Sequence, residues 1–187
     1  MTFKRLLAVC AASLTTAFAA QAAVVTANSS GNTAICDLCT VESTINVSSH
    51  GTLSDVNVTI ANLRHTWDGD LSIWLVSPVG TTVLLSDMRG GSGDNYVNTT
   101  FDDSASALIS SAAAPFTGTF RAEQFLSAFN GQDSFGTWTL RIADRQQFDT
   151  GTLNAWRLQL TTVPEPGSLA LAGLALVGLG LARRRKA

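Results

Sequence analysis

Six aspartates, Asp68, Asp70, Asp94, Asp102, Asp103 and Asp144, all fall in expected loops or at expected strand ends. Ca²⁺ takes about six to eight hard oxygen ligands at ~2.3–2.6 Å, and carboxylates carried on several loops supply them. These residues are therefore the candidate metal set, and Ca²⁺ the candidate cofactor. Asp68-Gly69-Asp70 does not open an EF-hand loop, so such a site would be built across loops. The competing reading is that Asp and Gly are ordinary turn residues and that Asp70 caps a local backbone bend.

Nucleophilic chemistry has less to work with. A serine hydrolase needs a nucleophile, a base and an orienting carboxylate in one geometry. The chain offers two histidines, His50 and His65, and many serines, but no G-x-S-x-G elbow. His50 sits beside Gly51 in an expected turn, and His65 just before a strand, so structural roles are expected for both. Asp102-Asp103 are neighbours in a loop with no companion motif for acid–base work. No catalytic residue is assigned, and the chain is not expected to be an enzyme.

The elements that must hold these groups are short strands. Val56, Val58 and Ile60 alternate with polar residues; so do Leu71, Ile73 and Leu75, up to the turn Ser77-Pro78-Val79-Gly80. Val83 and Leu85 begin the return strand. Trp138, Leu140 and Ile142, then Trp156, Leu158 and Leu160, repeat the pattern. A helical turn or two is expected only over 122–129. Many short strands without βα alternation imply an all-β, antiparallel two-layer sandwich, since each half-apolar sheet must bury its inner face on another. Trp138 and Trp156 should dominate that core.

Charge is distributed unevenly. The 187 residues contain 14 acids and 12 lysines plus arginines. Residues 23–163 hold six arginines against thirteen acids, a net of −7. Such a body repels the phosphate backbone, so no nucleic-acid partner is expected.

Both ends read as targeting segments. Residues 1–22 carry Lys4 and Arg5, an apolar stretch, and Ala20-Gln21-Ala22 as an A-x-A cleavage site, the plan of a secretory signal peptide. At the other end, Pro164-Glu165-Pro166 leads into a short apolar segment, Leu169 to Ala182, and then Arg183-Arg184-Arg185-Lys186. As a helix that segment is shorter than the ~30 Å hydrocarbon core, a marginal span whose arginines stay inside. Pro164-Glu165-Pro166, the glycine-rich apolar segment and the arginine cluster resemble the PEP-CTERM sorting signal of exported proteins in Gram-negative bacteria. That resemblance implies a transient inner-membrane anchor, recognition by an exosortase-type transpeptidase and removal of the tail.

Export changes the reading of Cys36-Asp37-Leu38-Cys39. Half a zinc site or a redox pair lacks a second CxxC, a nearby histidine and a βαβ context, which favours a local Cys36–Cys39 disulfide.

A second resemblance covers about 43–162. HTWDGDLSIWLVSPVGT (His65 to Thr81) resembles the GDL-x-I-x-L-x-SP-x-GT signature of the P domain, or P/Homo B domain, that follows the catalytic domain of furin-like and kexin-like convertases. GSGDNYVNTTFDD, FNGQDSFGTWTLRIAD and GTLNAWRLQL (starting at Gly91, Phe129 and Gly151) fit its bacterial versions. The resemblance implies a jelly-roll sandwich that is not itself catalytic and packs on a protease. Here the segment ahead of it is too short for a protease domain, so the module is expected to stand alone. The expected organisation is a signal peptide (1–22), a linker with the CxxC (23–42), the β-sandwich (43–163) and the sorting signal (164–187). The expected function is an exported binding or structural module of the envelope, cell surface or extracellular matrix. Its expected partners are extracellular polysaccharide or a subtilisin-like protease that it would assist.

Overall fold

The computed structural model describes residues 22–163. The expected signal peptide and the sorting segment with its apolar stretch lie outside the described residues. Among those described, no helix is long and apolar enough to cross a membrane.

Ten strands follow one another in the described residues: β1 (Ala23–Asn28), β2 (Thr33–Ile35), β3 (Thr40–Val47), β4 (Thr52–His65), β5 (Leu71–Val76), β6 (Thr82–Asp87), β7 (Tyr96–Phe101), β8 (Phe116–Phe120), β9 (Gly136–Asp144) and β10 (Gly151–Val163). One sheet has the order β1-β10-β4-β7-β8, with β2 also paired to β10; the other has the order β3-β9-β5-β6. Their inner faces meet in one core. Val56, Val58 and Ile60 on β4, Leu71, Ile73 and Leu75 on β5, and Leu140 and Ile142 on β9 are all buried there, as the period-2 alternation requires. Both large aromatics of the core satisfy their indole N–H. Trp156 donates across the two sheets to Ser43 Oγ at 2.9 Å, and Trp138 donates to the Ser134 carbonyl at 3.0 Å. The turn after β5 closes with the Gly80 N–H on the Ser77 carbonyl at 2.9 Å.

Three features depart from expectation. Residues 23–42, expected as a linker, contain β1, β2 and the start of β3, because Ala23 to Asn28 finds an open edge on β10 and pairs from Thr162 to Arg157. The sandwich is not wholly antiparallel, since β7 and β8 run parallel. A parallel pair needs a crossover of roughly a dozen residues or more, and the long stretch 102–115 with its short 3₁₀ turn Ile109–Ser111 provides it. Finally, the helical turns expected over 122–129 reduce to a 3₁₀ turn, Leu126–Phe129.

Candidate functional site

Antiparallel pairing brings the ends of β4, β6 and β9 and the starts of β5, β7 and β10 to one end of the sandwich. Four connections meet there: the turn from β4 to β5, the 88–95 loop, the 145–150 loop, and the loop between β2 and β3 closed by a Cys36–Cys39 disulfide.

The turn from β4 to β5 is the 3₁₀ turn Asp68–Asp70, and it sends its two acids to different neighbours. Asp68 faces the 88–95 loop. Its N–H donates to the Gly93 carbonyl at 2.8 Å, and the Gly69 N–H donates to the Gly91 carbonyl at 2.9 Å. A Cβ at Gly69 would lie 2.8 Å from the Gly91 carbonyl oxygen, so only glycine lets the two loops close this far. The Asp68 side chain is fully buried, and neither of its carboxylate oxygens has a hydrogen-bond partner. Burial pushes this carboxyl up to about 7; the Asn95 N–H, too poorly placed to complete a hydrogen bond, opposes the shift and the Asp94 charge adds to it.

Asp70 faces the 145–150 loop instead. Its carboxyl is raised by burial and then by the charges of Asp144 and Asp149; His65 opposes this, and Asp37 adds a smaller push. His65 Nε2 and Asp144 Oδ2, both fully buried, lie 3.4 Å apart, and neither atom makes a hydrogen bond. Asp37 and Asp149 were not among the candidate ligands, because nothing local in the sequence places them beside Asp70. Asp37 Oδ1 accepts the Phe148 N–H at 3.1 Å, and Asp149 Oδ1 accepts the Thr66 hydroxyl at 2.6 Å.

Asp102 and Asp103 do not join this group. They follow the other end of β7 from Asp94, separated by roughly 20 Å at ~3.3 Å per strand residue. Asp103 accepts the N–H groups of Leu126 and Ser127, each at 2.8 Å, and Asp102 accepts that of Ser104 at 2.7 Å. Those carboxylates hold turns together. The six aspartates therefore form no single site; among them Asp94 acts by its charge on Asp68, and Asp144 on Asp70. Among the described residues, no three His, Cys, Asp or Glu side chains stand close enough to hold a metal by themselves.

His50 lies elsewhere, with Nδ1 2.7 Å from Asp133 Oδ2 and its ring stacked on Phe135 at 4.2 Å. The hydrogen bond from His50 and the N–H groups of Gly51 and Phe135 lower Asp133 to about 2. Neither histidine has a serine hydroxyl as a partner among the described residues.

Comparison with known proteins gives two family matches: a proprotein convertase P-domain over residues 53–160, and a PEP-CTERM protein-sorting motif over 162–186. The chain is similar to leupeptin-inactivating enzyme 1 of Streptomyces exfoliatus, 31% identical over 97 residues, covering 52% of this chain and 16% of that protein. It is similar to the calcium-dependent protease of Trichormus variabilis, 31% identical over 111 residues, covering 58% of this chain and 14% of that protein. A calcium-dependent protease of Nostoc sp. is 30% identical over 127 residues, covering 66% of this chain and 16% of that protein. The chain thus spans only a small part of these relatives. Among solved structures, the Aeromonas sobria serine protease in complex with its chaperone superposes with a TM-score of 0.51 at 20% identity, covering 78% of this chain and 28% of that one, a likeness of fold.

Proposed function

The chain belongs to the proprotein convertase P-domain family and carries a PEP-CTERM protein-sorting motif, and from that premise we propose an exported, non-catalytic P-domain protein. Its sandwich is of the jelly-roll type and acts as a binding or structural module of the cell envelope, cell surface or extracellular matrix. The observation that carries this reading is the order of the two matches, a P domain over 53–160 followed at once by the sorting motif at 162–186. A signal peptide, 1–22, starts export. Residues 164–187 then anchor the chain transiently in the inner membrane until an exosortase-type enzyme acts at Pro164-Glu165-Pro166. The fold is compatible with both cuts. Ala23 begins β1 and pairs with Thr162 near the end of β10, so the N-terminal cut would fall just before the first strand.

Intact mass spectrometry of the secreted protein tests the reading. It should begin near Ala23 and lack the residues after about Pro166. Extracellular protein that keeps Arg183 to Lys186 would refute sorting by tail removal.

Calcium enters through Asp68. Two buried carboxylate oxygens without partners suit a hard cation, and Asp94 is close enough for its charge to act on Asp68. Two of the similar proteins are named calcium-dependent proteases. In this chain Asp68 and Asp94 would hold the ion, and its contribution would be to neutralise a buried charge and stabilise the loop cluster.

A second reading, in which the domain assists a separately encoded subtilisin-like protease, is favoured by the similar proteins being proteases. A pull-down from the producing cells separates the two: an abundant protease partner supports assistance, whereas polysaccharide supports the matrix role.

A further inference from the structure

Beside the Asp70 cluster, the 145–150 loop and the residues ahead of the 3₁₀ turn form an open depression of about 480 Å³. Trp67, Asp70, Gln147, Phe148 and Asp149 line it. Two of these are large aromatics left in water: Trp67 is 44% exposed and Phe148 is 91% exposed. A lone exposed apolar side chain needs no explanation. Phe148 differs because its backbone has φ +88°, a conformation that a bulky residue adopts only under strain. The strained position is held from outside the loop, by Asp37 on the Phe148 N–H, and Asp37 sits inside the ring closed by the Cys36–Cys39 disulfide. The chain thus uses a cross-link and a carboxylate to present a phenyl ring to solvent at a depression that an indole also lines.

The charged side chains that line the depression are both acids, Asp70 and Asp149. Asp37 stands beside it on the Phe148 N–H. Among the described residues no basic side chain lines it, and Arg145 of the adjoining loop has its guanidinium over the Trp74 ring, 5.4 Å from the centroid. Aromatic faces carry negative quadrupole density, so rings flanked by carboxylates attract a cation by two routes at once and reject an anion by both. An acidic polysaccharide is disfavoured for that reason.

We infer that this depression is a binding site for a cationic side chain, lysine or arginine, presented by an extended stretch of a partner polypeptide. The ammonium or guanidinium group lies against the Trp67 and Phe148 rings, with Asp70 and Asp149 supplying the counter-charge and Gln147 a polar contact. This rests on the reading of the sandwich as a binding module and specifies the chemistry of what it binds.

The test is calorimetric titration of the secreted protein with hexa-lysine, with fully N-acetylated hexa-lysine and with a neutral hexasaccharide. Hexa-lysine should bind, and the acetylated and neutral probes should bind at least about tenfold more weakly. Phe148→Ser and Trp67→Ser keep every charge, and each should weaken hexa-lysine binding by about fivefold or more. Asp55→Asn, which removes a charge at the other end of the sandwich, should leave binding within about twofold of the unmodified protein. Unchanged binding by the two aromatic variants would overturn the site and leave only attraction to net charge. Equal binding of the neutral hexasaccharide would overturn the cationic specificity, and no hexa-lysine binding would overturn both. Phe148 is almost wholly exposed, so its replacement should not move the melting temperature, which keeps that variant informative even if Trp67→Ser loosens the turn. Any of these failures leaves the mass of the processed protein untouched, so the sorting reading stands or falls separately.

Discussion

Replacing Trp138 with alanine should lower the unfolding free energy by roughly 3–5 kcal/mol. Trp138 sits on β9, which is paired on both sides, to β3 and to β5. Its side chain is fully buried, edge-on to the Phe129 ring at 5.2 Å between centroids. Alanine removes those contacts, leaves a cavity between sheets that cannot collapse independently, and takes away the donor to the Ser134 carbonyl. Against a total of about 5–15 kcal/mol for a domain, the loss brings the sandwich close to unfolding. Trp138→Phe should cost less, because it keeps an aromatic face against Phe129 and loses chiefly the hydrogen bond, worth about 1 kcal/mol. Urea unfolding checks both variants: the midpoint should fall at an unchanged slope, in the order unmodified, Phe, Ala. A midpoint unmoved by Trp138→Ala would contradict the packing described for β9.

The second large effect expected is a pH dependence that calcium, held at Asp68 as proposed, should remove. The Asp68 carboxyl stands at about 7 in the folded chain against 3.8 for an unperturbed aspartate, chiefly through burial. A raised acid means that the folded state holds a proton which the unfolded state has already released. Stability in chelator should therefore be greatest near pH 4 and fall as the pH rises towards about 7, by up to roughly 4 kcal/mol. Asp68→Asn should flatten most of that slope. Some should persist, because Asp70 and Asp55 are also raised, by burial first and then by neighbouring acids. A cation held at Asp68 substitutes for the proton, so Ca²⁺ should restore the stability lost at neutral pH. Binding to the folded state alone adds about 2.7 kcal/mol at a hundredfold excess over Kd. Mg²⁺ should restore less, since it demands tighter geometry and sheds water reluctantly. Thermal melts in EDTA, Ca²⁺ and Mg²⁺ at matched ionic strength, from about pH 4 to pH 8, give the comparison. Asp102→Asn should leave the calcium shift intact, because that carboxylate is engaged by the Ser104 N–H beyond the opposite end of β7. A calcium shift abolished by Asp102→Asn and kept in Asp68→Asn would place the cation at the wrong end for the proposal.

Much of the sandwich was legible in the chain because a strand writes its two faces into alternate residues. Val56, Val58 and Ile60, or Leu71, Ile73 and Leu75, declare their inward face without reference to any partner, and Trp138 and Trp156 fall in phase with them. Turn chemistry is equally local, as at Ser77 to Gly80. The signature from His65 to Thr81 and the proline-glutamate-proline segment were readable for the same reason, being contiguous.

Pairing is not local, and there the sequence alone fell short. Nothing in Ala23 to Asn28 announces the edge of β10, more than a hundred residues later, that makes it a strand and not a linker. Nothing in Phe116 to Phe120 says that the crossover ahead of it will set β8 parallel to β7. The acidic site shows the same limit most sharply. Asp68 and Asp70 are two residues apart, yet the 3₁₀ turn directs one to the 88–95 loop and the other to the 145–150 loop. Asp94 and Asp102, close in sequence, are driven to opposite ends by the strand between them. The chain by itself determined the all-β class, the inward residues and the sorting motif, since local periodicity and contiguous motifs encode them. Which carboxylates meet, which are spent on backbone N–H groups and which stay buried without a partner was decided only by the tertiary structure, because strand register and direction set those distances.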